Sequence, residues 1–258
     1  MQGANEPGMR FDEGFIAVDW GTSNRRAWRV EPGGSVAGEM EDEKGILAVA
    51  EGGFHAAVGE IRGRLGDLPL LMAGMIGSNR GWVEAPYVPC PAGLPELAAG
   101  LRRIEGERAA IVPGVAWDSD GAADVMRGEE VQLLGAHAEG WIAANATLCH
   151  PGTHNKWVRL EDGRIAAFRT VMTGELFNLL KAHSILSDLL AAPAEPGPAF
   201  EAGVRHGLDQ DDLTAELFSS EAGIKMTHVP YKGGALAVND LVKEKNKVHM
   251  NASAATSD

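Results

Sequence analysis

The chain has 258 residues, 45% of them hydrophobic and 23% charged, with 23 basic against 36 acidic side chains and a formal net charge of −13. That apolar fraction excludes general disorder, and the length suffices for one large domain or two smaller lobes. The acidity makes nucleic acid and anionic lipid poor general ligands, although a local cluster of Arg, Lys and backbone N–H groups can still hold a small anion. Cys90 and Cys149 are the only cysteines, too few for a disulfide framework or a four-sulfur metal site. The opening MQGANEPGMRF lacks the basic and then apolar pattern of a secretory signal, and no apolar run approaches the roughly 20 residues of a membrane span. A cytoplasmic protein without a membrane partner is the expectation.

In chain order, Phe15–Asp19 reads as a strand stopped by Gly21, Arg26–Val30 as a second strand, and Ser35–Met40 as a third after the Pro32-Gly33-Gly34 turn. Apolar residues at 54, 58, 61 and 65 predict an amphipathic helix over Phe54–Leu65. A strand at Pro69–Ala73, a helix at Pro95–Arg103, a strand at Ala109–Val112 and a helix at Glu129–His137 follow. The pattern then restarts with a strand at Ala146–Cys149 and a hairpin of Lys156–Leu160 with Arg164–Val171 around Asp162-Gly163. A helix from Thr173, its expected N-cap, runs to about Leu186; a Pro/Ala linker at 191–198 and a short helix over 199–206 come next.

Two segments echo each other. GTSNRRAWRVEPGGSVAGEM from Gly21 and GTHNKWVRLEDGRIAAFRT from Gly152 each hold Gly-Thr-x-Asn-basic, a Trp, a strand, a Gly turn and a second strand. This repeat predicts two lobes of similar topology. A Gly-Thr turn after a buried strand lets backbone N–H groups approach a phosphate, and Asp19 at the strand end adds a carboxylate suited to Mg²⁺. The absence of a G-x-x-x-x-G-K-S/T motif argues against a P-loop enzyme. Phosphoryl transfer also needs a group to accept the attacking hydroxyl's proton. Glu129 is the first candidate, ahead of Glu130, with Asp124 third. The Gly-rich, polar and aromatic run Met75–Tyr87 suits a substrate loop, in which Arg80 could hold a carboxylate and Ser78, Asn79 and Glu84 could read hydroxyls. His150 and His154 are separated by Pro151-Gly152, which breaks the helix that a histidine pair at this spacing needs to bind metal.

The motifs DWGTSNRRAW, GMIGSNRGWVEAPYVPCPAGL, VMRGEEVQLLGA, PGTHNKWV and MTGELFNLLKAHS, in this order, resemble the 2-dehydro-3-deoxygalactonokinase family over roughly Phe15–Phe218. The resemblance implies an α/β, two-lobed, ribonuclease H-like fold of the actin-like ATPase class. It also implies ATP- and Mg²⁺-dependent phosphorylation of 2-dehydro-3-deoxy-D-galactonate at its 6-hydroxyl. On this reading Asp19 holds the metal; Gly21, Thr22, Ser23, Gly152, Thr153, His154 and Lys156 hold the nucleotide's phosphates; Arg26, Ser78, Asn79, Arg80 and Glu84 contact the sugar acid; and Glu129 or Glu130 serves the chemistry.

The expected domains are a first lobe over 12–145, a partial second lobe over 146–218 and an unrelated tail over 219–258. Ala222–Val242, which contains KMTHVPYKGGALA, resembles a fragment of a receptor from tripartite tricarboxylate transporters. The alternative function is therefore a truncated or chimeric remnant that binds sugar acid without turnover.

Overall fold

The computed structural model describes residues 9–119 and 122–185, with a few isolated positions up to 202. The linker at 191–198, the helix expected over 199–206 and the segment 219–258 lie wholly or almost wholly outside the described residues, as does Leu186. The chain divides into two compact units, one of residues 1–138 with Arg164–Ala166, the other of residues 139–163 and 167–258.

In the first unit, β1 (Phe15–Trp20), β2 (Arg25–Val30) and β3 (Val36–Asp42) form an antiparallel meander. Helix α1 (Phe54–Leu65) then crosses to β4 (Leu70–Ala73), which pairs parallel to β1. With β6 (Arg102–Arg103) and β7 (Ala109–Ile111), the sheet order is β3-β2-β1-β4-β7-β6. Alternation along β1 buries Ile16, Val18 and Trp20, and Val58, Ile61 and Leu65 of α1 join them in the core with Leu70, Met72 and Ile111. The α1 residues recur at helical spacing and the β1 residues at period two, so both apolar faces are direct consequences of sequence.

A second sheet of this unit has the order β5-β8-β9, from Tyr87–Pro89, Gly114–Ser119 and Ala122–Met126. None of these three strands is among those expected from the sequence. The helix expected over Pro95–Arg103 is shorter: α2 spans Leu94–Ala99. Gly100 caps it, and Arg102–Arg103 turns into β6 because its backbone finds partners in β7. Helix α3 covers Glu129–Ala138.

The second unit contains β10 (Ala146–His150), β11 (Asn155–Glu161) and β12 (Arg164–Val171), an antiparallel sheet in chain order; the first three residues of β12 group with the first unit. Asp162 and Gly163 both have positive φ, 49° and 73°, the conformation that a tight β11–β12 turn demands. Helix α4 runs Thr173–His183; its N-cap is Met172 with no side-chain hydrogen bond, so Thr173 is the first helical residue rather than the expected cap. Strand, Gly-Thr turn, strand, Gly turn and strand thus occur in the same order at β1–β3 and at β10–β12.

Among the described residues, no helix is long and apolar enough to cross a membrane. Cys90 and Cys149 are free thiols, each pushed up to about 11 by burial.

Candidate active site

The first Gly-Thr turn is the four-residue loop between β1 and β2. Gly21 N–H donates to the Asn24 carbonyl at 2.9 Å. The carbonyls of Gly21, Thr22 and Ser23 accept from Ile46, Leu47 and Gly45 N–H groups at 3.0, 3.3 and 2.8 Å. In a planar trans peptide the following N–H points opposite to its carbonyl. With three carbonyls turned toward Gly45–Leu47, the N–H groups of Thr22, Ser23 and Asn24 are directed away from it, on residues that are themselves exposed. Such a row of donors suits an anion. Gly45 makes the arrangement possible: a Cβ there would lie 2.3 Å from the Thr22 oxygen and 2.4 Å from the Ser23 nitrogen.

Asp19 is half-buried at the end of β1, opposite Arg26 of β2 and Ala73 of β4. Beyond Ala73 comes Gly74, with φ of 92°; a side chain there would meet the Trp20 oxygen at 2.9 Å and Asp19 Oδ1 at 3.3 Å. Gly128, with φ of 110°, packs on Gly74, since its own Cβ position is 3.2 Å from the Gly74 Cα. These two glycines bring the β1 carboxylate and the start of α3 to one place in the first unit.

The two α3 glutamates differ sharply. Glu130 is fully buried, and both carboxyl oxygens accept from Gly128 N–H, at 2.8 and 2.7 Å. Burial, with a smaller push from Glu129, raises its carboxyl to about 8 against the pull of Gly128 N–H and Arg127. Glu130 is therefore mostly protonated at neutral pH. Glu129 is half-buried, and its Oε2 accepts from Arg127 N–H at 3.2 Å. Asp124 lies on β9 opposite Trp117 and accepts from Val125 N–H at 2.8 Å.

In the Met75–Tyr87 loop, Ser78 is buried and committed locally: its Oγ donates to the Met75 carbonyl at 2.7 Å and accepts from Arg80 N–H at 3.2 Å. Asn79, Arg80 and Glu84 are exposed. Arg26 pairs with the exposed Glu41 at 3.2 Å. The neighbouring Arg25, absent from the expectations, is fully buried; it forks onto Asp42 at 2.7 and 3.2 Å, reaches Glu60 at 3.3 Å and lies 5.1 Å from the Trp20 ring centroid. Trp20 in turn donates to the Lys44 carbonyl at 3.0 Å. This network anchors the segment that carries Gly45. A residue-type pattern does not separate Arg25 from Arg26; only strand register does.

In the second unit, Gly152 N–H donates to Asn155 Oδ1 at 2.9 Å, and the Thr153 carbonyl accepts from Glu175 N–H at 3.0 Å. The start of α4 abuts the turn closely, since a Cβ on Gly174 would lie 2.4 Å from the Gly152 oxygen. His154 Nε2 pairs with Glu175 Oε2 at 2.5 Å. Gly152 and Thr153 are exposed, whereas Lys156 is buried and donates to Thr170 Oγ1 at 2.6 Å across β11 and β12. Lys156 thus braces the hairpin beneath the turn.

Among the described residues there is no cluster of three or more His, Cys, Asp or Glu side chains able to hold a metal alone. The donor set at β1 fits a different use. One carboxylate, two hydroxyls and a row of N–H groups match a magnesium nucleotide, in which phosphates and waters complete the metal's oxygen shell.

The chain is similar to known proteins over most of its length. The family model of 2-keto-3-deoxy-galactonokinase matches residues 19–235. A Rhizobium meliloti (strain 1021) protein named "Probable 2-dehydro-3-deoxygalactonokinase DgoK1" is 40% identical over 221 residues, covering 81% of this chain and 71% of that protein. The "2-dehydro-3-deoxygalactonokinase" of Escherichia coli (strain K12) is 37% identical over 218 residues, 84% of this chain and 73% of its own length. A crystal structure described as "a putative 2-dehydro-3-deoxygalactonokinase protein from Sinorhizobium meliloti" superposes with a TM-score of 0.71 at 38% identity, covering 88% of this chain and 77% of that one. The mixed α/β fold is thus shared with that solved structure. With a family match over most of its length and relatives 37–40% identical, the chain belongs to the 2-keto-3-deoxy-galactonokinase family.

Proposed function

We propose that the protein transfers the γ-phosphoryl group of MgATP to the 6-hydroxyl of 2-dehydro-3-deoxy-D-galactonate, in the breakdown of D-galactonate. The observation that carries this reading is the backbone of the turn after β1: the carbonyls of Gly21, Thr22 and Ser23 are drawn to Gly45–Leu47, so that the N–H groups of Thr22, Ser23 and Asn24 are directed the other way. Gly21, Thr22 and Ser23 would hold phosphate oxygens. Gly152, Thr153 and His154 are assigned the same duty in the second unit, with Lys156 supporting the turn and the α4 N-terminus adding its positive dipole end. Asp19 would hold Mg²⁺, directly or through water; when bound, that ion offsets the phosphate charge.

Glu129 receives the proton of the attacking hydroxyl as its oxygen bonds to phosphorus in line with the departing ADP oxygen. The structure favours Glu129 over Glu130 for this step because Glu130 is buried, occupied by Gly128 N–H and protonated near neutrality. Glu130 fixes the first turn of α3 instead. Arg26, Asn79, Arg80 and Glu84 would contact the sugar acid, and Ser78 shapes the loop that presents them.

ADP release coupled to a spectroscopic readout, with MgATP and the sugar acid supplied, tests the proposal. Substrate-dependent ADP well above that of Glu129→Gln supports it. No such ADP, together with retained binding of the sugar acid by calorimetry, would instead support the reading of a remnant that binds without turnover. The assignment of residues 219–258 to unrelated sequence, of which 219–235 fall inside the family match, is tested separately, by comparing turnover and ATP binding before and after their removal.

A further inference from the structure

Arg127 stands one residue before Gly128 and has no role in the scheme above. Its guanidinium Nη2 donates to the Ala85 carbonyl at 2.7 Å and its Cζ lies 4.3 Å from the Tyr87 ring centroid. Nη1 would lie 2.9 Å from a Cβ on Gly77, so that glycine makes room for it. The side chain therefore lies against both ends of the Met75–Tyr87 loop. Nε and Nη1 are buried with no hydrogen-bond partner, and among the described residues no carboxylate comes within ion-pair distance of the guanidinium. Its neighbour Glu130 holds a proton at neutral pH and supplies little counter-charge.

An arginine with two buried unpartnered donors and no counter-ion is costly in a folded protein. It is also an unusual choice in a chain with a net charge of −13, where carboxylates are plentiful. A neutral residue would give up the Ala85 hydrogen bond and the cation–π contact with Tyr87, but would remove the cost of the unpartnered donors. What the arginine retains is a positive charge shielded from water, whose field is weakly screened at the loop above it.

We infer that Arg127 makes this site selective for an anionic substrate: it is a specificity-determining positioning residue whose uncompensated charge beneath the Met75–Tyr87 loop favours the carboxylate of the bound sugar acid. It acts through the loop and through its field, while exposed Asn79, Arg80 and Glu84 remain the contact candidates. The inference rests on the proposed sugar-acid kinase activity and goes one step further, to what separates an acid from a neutral sugar at that site.

The test compares the sugar acid with its primary amide, which has nearly the same shape without the charge, in wild type, Arg127→Lys and Arg127→Gln. Wild type should favour the acid in kcat/KM, Arg127→Lys should keep most of that preference, and Arg127→Gln should lose roughly tenfold or more of it. The KM for ATP should stay unchanged in both variants. A purely structural role would lower acid and amide turnover together and leave their ratio intact. That result overturns the inference while leaving the kinase activity standing. Equal loss of preference in Arg127→Lys and Arg127→Gln also overturns it, because the charge would then not be the cause. Absence of any turnover of the acid by wild type overturns the kinase reading itself, and this inference with it.

Discussion

Glu130→Gln is the perturbation whose size follows most directly from the structure. Burial holds the Glu130 carboxyl at about 8, against an ordinary value of 4.5. The folded chain therefore keeps a proton that the unfolded chain releases between those values. Because the folded value is raised, the stabilising contribution is complete below about pH 4.5 and is lost as pH climbs toward 8. The slope is about 1.4 kcal/mol per pH unit, so wild type should lose roughly 3–6 kcal/mol across the window through this residue. Glutamine cannot ionise and removes that slope. At pH 5 the variant should be up to about 1 kcal/mol less stable than wild type: its carbonyl still accepts from Gly128 N–H, but an NH₂ with two donors replaces the protonated carboxyl's single OH in a fully buried site. At pH 8 the order should reverse. Asp42 and Glu107, held below the ordinary carboxylate range, act only in more acidic solution and do not confuse the comparison. Urea midpoints at several pH values between 5 and 9, with a carboxyl ¹³C titration to locate the Glu130 resonance, measure both parts. Parallel stability curves for the two proteins, or a Glu130 carboxyl that titrates near its ordinary value, would show that burial does not raise this group.

Other outcomes follow from the same geometry. Gly45→Ala places a Cβ within 2.4 Å of the Thr22 and Ser23 backbone, so stability should fall by about 1–3 kcal/mol and the KM for ATP should rise more than that for the sugar acid, as thermal melts and steady-state kinetics would show. Asp42→Ala leaves the buried Arg25 guanidinium without its bidentate partner and should cost roughly 3–5 kcal/mol by denaturant titration. For Asp42 itself, burial pushes the carboxyl up, but the Arg25 hydrogen bonds and charge outweigh that and hold it low; its contribution is present above the ordinary carboxylate range and lost as pH falls below it. Asp19→Asn should cut phosphoryl transfer by about 100-fold or more, and a normal rate would remove Asp19 from the metal-holding role.

Much of the fold was legible because its signals are local. The β1–β3 meander, α1 and the β11–β12 hairpin follow from period-two or 3.6-residue alternation bounded by glycine, and their observed bounds differ from the expected ones by a residue or two. The β5-β8-β9 sheet was harder. Its strands are short and half-exposed, and β5 is separated from its partner β8 by α2, β6 and β7. The Asp120-Gly121 dipeptide between two short runs was the available signal for the β8–β9 pair. Helix α2 was overextended because Leu101–Arg103 continues a plausible helix locally, while the pairing of β6 with β7 is a tertiary bond.

At the candidate site the division is similar. Sequence by itself determined the motif residues: Asp19 at a strand end, two Gly-Thr turns, a glutamate pair at a helix start and an acidic body of net charge −13. Those are statements about residue type and spacing, and chemistry attaches to them directly. Only the tertiary structure decided which glutamate is buried, that Gly74 and Gly128 bring Asp19 and α3 together, and that Gly45–Leu47 turn the Gly21, Thr22 and Ser23 carbonyls aside. It also separated the buried Arg25 and the uncompensated Arg127 from the arginines around them. The physical reason is that burial and close backbone approach depend on partners far along the chain. Desolvation, which moves Glu130 and isolates Arg127, exists only once those partners have met.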